Sequence, residues 1–170
     1  MKKAILISLL IVMASALAFA ADDVTGVWRG VDDNTGESTM FTYIYEWQGK
    51  LYGRMIVIFD GGVMSDPINA PVAKATLWEG DPYYAGMDII WGLEDRGKRW
   101  KRGKIADPDF GKIYDCEIWK EADGRLAVRG KIGPFGRNQY WEPVSSSEYP
   151  DGLDFGNPSN WTPVIPKVKK

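Results

Sequence analysis

Between Gly103 and Trp141 the chain carries three short runs, KIYDCEIWK, RLAVRGKI and RNQYWEPV, divided by EADG and GPFG. Each run is rich in β-branched and aromatic residues, and each divider is a turn signal too short to hold a helix. Strands joined this tightly form an antiparallel meander. A meander leaves two unpaired edges, so the rest of the chain is expected to supply strands that close it.

The flanking sequence supplies them. Val24–Val31 is a strand ended by the turn residues DDNTGES, and Thr39–Trp47 alternates, with Phe41, Tyr43, Tyr45 and Trp47 sharing one face. Gly49 marks a tight turn into Leu51–Phe59, whose centre MIVIF is apolar on both faces and must therefore be covered on both sides. Met87–Leu93 and Lys98–Ala106 complete about eight strands at the turn spacing of a small barrel or sandwich. The fold class expected is all-β, a single antiparallel barrel. From Asp60 to Gly86 glycines and prolines break every period, which predicts a long loop with one helical turn near Val72–Leu77. Loops of that length in a compact domain tend to be lids or caps. Residues from Ser145 onward are rich in Ser, Pro, Gly and Asn and form a tail, either disordered or laid irregularly over the domain.

Residues 1–20 have the form of a secretory signal. Lys2 and Lys3 precede an apolar run, and Ala18-Phe19-Ala20 is a small-x-small cleavage site. The expected organisation is signal peptide 1–20, barrel domain 21–144 and tail 145–170, with the protein in the periplasm or secreted. Without Lys2 and Lys3 the chain keeps 19 basic against 23 acidic residues. That acidic balance argues against a general nucleic-acid binder. Histidine is absent, which excludes Ser-His-Asp, Cys-His and His-based zinc chemistry. The single cysteine, Cys116, lies between Tyr114 and Ile118 on one strand face and is expected to act as a small buried hydrophobe. Asp107-Pro108-Asp109 opens like a calcium loop but lacks the closing bidentate Glu, Ile118 standing there. No catalytic constellation, cofactor motif or metal-ligand set emerges, so an enzyme is not expected.

Several motifs, spread over Gly26–Trp141, resemble the DUF2147 domain, an uncharacterised family of exported bacterial proteins. They are Gly26-Val27-Trp28, Gly49-Lys50-Leu51-Tyr52-Gly53-Arg54, Gly103-Lys104-Ile105 with Asp107-Pro108, Gly111-Lys112 with Tyr114 and Cys116, Leu126 with Val128-Arg129-Gly130, and Gly136-Arg137 with Trp141. The resemblance implies a lipocalin-like barrel. Gly26-x-Trp28 in the first strand with Arg137 in the last also looks like the lipocalin signature. That likeness implies that Trp28 closes the barrel floor and that Arg137 packs over its ring.

A barrel of this size is either filled by side chains or holds one small ligand. Tyr43, Tyr45, Trp91 and Tyr114 are candidate lining residues for a small apolar or amphipathic molecule such as a lipid or fatty acid, or else plain core. Arg54 and Arg129 sit inside strands. Turned inward, either would need an anionic ligand or an internal acid such as Asp115 or Glu117, and turned outward neither would. Lys98, Arg99, Trp100, Lys101 and Arg102 form a basic run that would suit an anionic membrane surface, or would guard a hairpin against edge pairing.

Overall fold

The computed structural model describes residues 21–170; the signal segment expected at 1–20 lies outside the described residues. Nine strands follow in order: β1 (Gly26–Val31), β2 (Ser38–Trp47), β3 (Lys50–Asp60), β4 (Val63–Pro67), β5 (Asp88–Asp95), β6 (Trp100–Asp107), β7 (Lys112–Lys120), β8 (Leu126–Ile132) and β9 (Phe135–Pro143). The sheet runs β2-β1-β9-β8-β7-β6-β5-β3-β4, and the β2–β3 pairing joins its ends. Eight strands thus make a closed antiparallel barrel, and β4 lies outside it against β3. Closure removes the open edges that the meander alone would carry.

Alternation along the strands divides the side chains between two faces. Trp28, Ile44, Leu51, Leu93, Cys116, Ile118, Leu126 and Trp141 point inward and form one buried cluster. Each large side chain buried there contributes roughly 1.5–3 kcal/mol. Val24, just before β1, is buried in the same cluster, and its carbonyl accepts a 2.8 Å hydrogen bond from Trp28 Nε1. The N-terminal segment and Trp28 thereby plug one end of the barrel.

The outer face of β1–β3 is also apolar. Val27, Phe41, Ile56 and Val57 are buried there beneath Val144, just after β9, and Tyr149, Leu153, Phe155 and Trp161 of the tail. The two-sided cover predicted for MIVIF is therefore supplied by the barrel interior and by residues after β9. The tail bends through short 3-10 turns at Ser146–Glu148 and Pro158–Asn160 and ends with Val168 bridged to Trp78.

The long loop differs from expectation. Asp60–Val63 is a two-residue hairpin, with Gly61 and Gly62 at φ of 53° and 74°, values that the favoured hairpin turn demands. It returns the chain as β4, which the mixed sequence VMSDP concealed, although the Gly-Gly pair was a usable signal. Val72–Leu77 is extended and turn-like rather than helical; Lys74 bridges Tyr83, and Trp78 is buried with its Nε1 donating to the Pro108 carbonyl at 2.9 Å.

Gly103 faces inward where β6 crosses β5. A Cβ there would lie 2.6 Å from Leu93 Cγ and 2.8 Å from the Trp91 carbonyl oxygen, whereas one on Gly130 would sit 3.7 Å from Ile105. Gly103→Ala is expected to destabilise by about 1–3 kcal/mol through overpacking, with Gly130→Ala near neutral, as read by urea denaturation.

Candidate functional site

Above the packed floor the interior opens into a cavity of about 830 Å³. Its walls are apolar: Met40, Met55, Ile89, Ile105, Val128 and Trp141 come from β2, β3, β5, β6, β8 and β9. Polarity increases toward the strand ends, where Thr39, Asp107, Asp109 and Arg137 stand beside apolar Ile58, Ile132 and Phe135. Tyr84, from the segment after β4, also lines the space; burial and then the Asp109 carboxylate raise its phenol above the usual tyrosine range. The arrangement is an apolar chamber with a mixed polar rim, the general form of small-molecule pockets.

The residues expected to line the interior divide between the two faces. Tyr114 lines the cavity. Trp91 packs half-buried against the floor cluster outside the lining. Tyr43 and Tyr45 lie on the outer face of β2 under the tail, with Trp161 at 5.5 Å and 5.3 Å between ring centroids. Arg129 also faces out and donates to Asn138 at 2.9 Å. The face shared by Phe41, Tyr43 and Tyr45 was legible in the alternation, but its direction was not, because the tail makes the outside of β2 as dry as the inside.

Arg54 is buried on that outer face, and its partner is Asp88 of β5 rather than Asp115 or Glu117. Arg54 Nη2 donates to Asp88 Oδ2 at 2.8 Å, and Nε donates to Oδ1 at 3.3 Å. Asp88 also accepts from the Tyr45 hydroxyl at 2.9 Å and from the Val164 amide. Arg54 Nη2 further donates to the Thr162 carbonyl at 2.6 Å, and its guanidinium lies 4.6 Å from the Trp161 ring centroid. Burial, followed by the Asp88 charge, pushes the Tyr45 phenol far upward, so it remains a donor. With its ionic groups mutually satisfied, this cluster is a structural joint between barrel and tail.

Arg137 does not cover Trp28. It sits at the opposite end of the barrel on the cavity rim, 78% exposed, with Nη2 on Asp33 at 2.6 Å. Part of the basic run and its flanking cations face acids on the same sheet. Arg96, Arg102 and Lys50 surround Glu94, Lys104 pairs with Asp115, and Arg99 pairs with Glu117 while stacking 3.9 Å over Trp119. Trp100 Nε1 donates to the Asp22 carbonyl; against its burial, Lys131 and then Lys101 hold the Glu117 carboxyl below its usual range; and Lys98 is exposed. Among the described residues no cluster of three potential metal ligands occurs.

A family model described as an uncharacterised protein conserved in bacteria (DUF2147) matches residues 26–143, and the chain belongs to that family. Among solved structures it is similar to HP1028 of Helicobacter pylori, described as belonging to the lipocalin family. Identity is 23% and the TM-score 0.60, over 74% of this chain and 86% of that one. Comparison with curated proteins gives no match. The architecture is lipocalin-like, and an eight-stranded barrel is wide enough either to be filled by side chains or to hold one small ligand.

Two outcomes follow from the site's electrostatics. Arg54→Met leaves a buried Asp88 without its guanidinium and should cost about 3–5 kcal/mol in chemical denaturation, with Arg54→Met/Asp88→Leu recovering part of the loss. Burial, and then the Glu117 charge, push the Cys116 thiol well above its ordinary range. The native protein should therefore leave a disulfide reagent such as 5,5′-dithiobis(2-nitrobenzoate) unreacted at neutral pH and consume one equivalent when unfolded.

Proposed function

We propose that this DUF2147 domain is an exported binding protein that carries or senses a small apolar or amphipathic molecule held in the barrel cavity. The observation that carries the reading is the chamber itself. About 830 Å³ of space is walled by Met, Ile, Val and Trp side chains, and the charged groups stand at its rim. Water in such a chamber has few hydrogen-bond partners, so an apolar guest gains by displacing it. Asp107, Asp109 and Arg137 at the rim suit a ligand whose polar end stays near the mouth while its body occupies the interior.

The mouth supports the same reading. Ile132 and Phe135 at the β8–β9 turn are 67% and 79% exposed, and Phe110 in the β6–β7 turn is 69% exposed. These side chains give a passing apolar molecule a first contact before it enters. Export is the expectation from residues 1–20, and binding rather than catalysis follows from the lack of a nucleophile–base set in the sequence. Contact between the basic run and an anionic surface is the less favoured reading, because Arg99 and Arg102 already face Glu117 and Glu94 within the sheet.

The test uses a neutral apolar dye, N-phenyl-1-naphthylamine, together with native mass spectrometry of protein purified from its own envelope. The expected result is dye binding at one site, displaced by long-chain amphiphiles. Gly130→Leu, which grows a side chain into the cavity from a position with ordinary clearance, should weaken binding at least tenfold, which is about 1.4 kcal/mol or more. Absence of dye binding together with a ligand-free native mass would overturn the proposal.

A further inference from the structure

We infer that Asp95 is the receptor for a free α-ammonium at Ala21, generated by hydrolysis of the Ala20–Ala21 peptide bond. The Ala21 nitrogen lies 3.1 Å from Asp95 Oδ1 and also 3.1 Å from Oδ2. A peptide amide has one hydrogen and satisfies one acceptor well. An ammonium has three hydrogens and a full positive charge, and can serve both oxygens at once. The carboxylate is held ready for it, since the Gly97 amide in the turn beyond β5 donates to Asp95 Oδ1 at 2.8 Å.

From Ala21 onward the segment is anchored almost residue by residue. The Asp22 carbonyl accepts from Trp100 Nε1 at 3.1 Å. Asp23 Oδ1 accepts from both the amide and the hydroxyl of Thr25, at 2.9 Å and 2.8 Å. Val24 is 1% exposed inside the floor, and its carbonyl holds Trp28. Ala21 directly follows Ala18-Phe19-Ala20, the small-x-small sequence that an export signal peptidase recognises. In the cleavage, water adds across the peptide bond. The C–N bond breaks, Ala20 leaves as a carboxylate, and the Ala21 nitrogen takes up protons to become the ammonium. The floor plug therefore acquires its final ionic contact only after processing. Charges around the pair include Asp22 and Asp23 on the same segment and Lys120, which faces Asp23; Arg96, next to Asp95, is occupied by Glu94.

This inference rests on the export reading and is independent of what the cavity holds. It is tested first by the intact mass of the protein recovered after secretion of the full chain, expected to start at Ala21. The second test compares the chain beginning at Ala21, released from an amino-terminal fusion, with one carrying Gly-Ser before Ala21. Each is made with Asp95 and with Asp95→Asn, which keeps the acceptor for Gly97. In the Ala21-start chain the substitution should lower the melting temperature by about one to three degrees at low salt, as an exposed ion pair permits. In the extended chain the loss should be clearly smaller, and high salt should narrow the difference. A mass beginning at another residue, or an equal loss in both chains, would overturn the inference.

Discussion

The contact on which the rest of the molecule turns is the Arg54–Asp88 pair, and a bulge makes it possible. Gly53 pairs with Ile90 while Arg54 pairs with Asp88, so Ile89 is an extra residue on β5. The bulge re-aims side chains on both sides. Asp88 is turned outward to meet Arg54, and Ile89 joins the cavity wall. Moving two charges out of water costs several kcal/mol each, and the attraction between them offsets this only when the remaining lone pairs are filled. Here Tyr45 and Val164 complete the set, and Trp161 lies against the guanidinium. The pair is thus a condition as much as a reward: once Arg54 and Asp88 are buried, the tail must lie where Thr162 and Val164 can reach them.

That condition explains why the fold was more legible than the site. Strand identities depend on local alternation and turn chemistry, which need only neighbours in sequence. The meander, the Gly49 hairpin and the inward Cys116 all rest on such signals. Which face points inward depends on what covers the other one. For β2 the cover comes from Phe155 and Trp161, more than a hundred residues later. Tyr43 and Tyr45 therefore carry the same pattern as a cavity lining while packing outside it. Asp88 was equally hidden, since a single acid opening an apolar strand gives no local sign of an arginine 34 residues earlier.

The expected Trp28–Arg137 contact fails for a different reason. Trp28 does occupy the floor, where Val24 caps it. Arg137, however, lies near the start of β9, opposite Gly130, at the mouth end of an antiparallel strand that reaches the floor only near Pro143. Position within a strand decides which end of the barrel a residue serves, and a motif match that ignores strand polarity can assign the wrong end. The basic run also looks different once the sheet is formed. Along the chain it is an uninterrupted cationic stretch, but across the sheet Glu94, Asp115 and Glu117 face it from strands on either side. Charge that looks wholly unopposed in one dimension is partly paired in two.

The two ends of the barrel also account for why one half is packed and the other open. At the floor, Trp28, Leu51, Leu93, Ile118 and Leu126 are large, and Val24 enters from below, so the volume is filled. Toward the mouth the inward positions include Gly130, which contributes no side chain, and the smaller Ala106 and Val128 also border the space. Filling the upper half would have required only larger residues at such sites, which strand geometry permits; the clearance at Gly130 is ordinary van der Waals contact. The void therefore reflects the choice of side chains rather than a limit of the backbone. An unfilled apolar interior forgoes dispersion contacts that a packed core would make. That loss is offset when a guest occupies the chamber and supplies the missing contacts, which favours binding as the role of this half of the barrel.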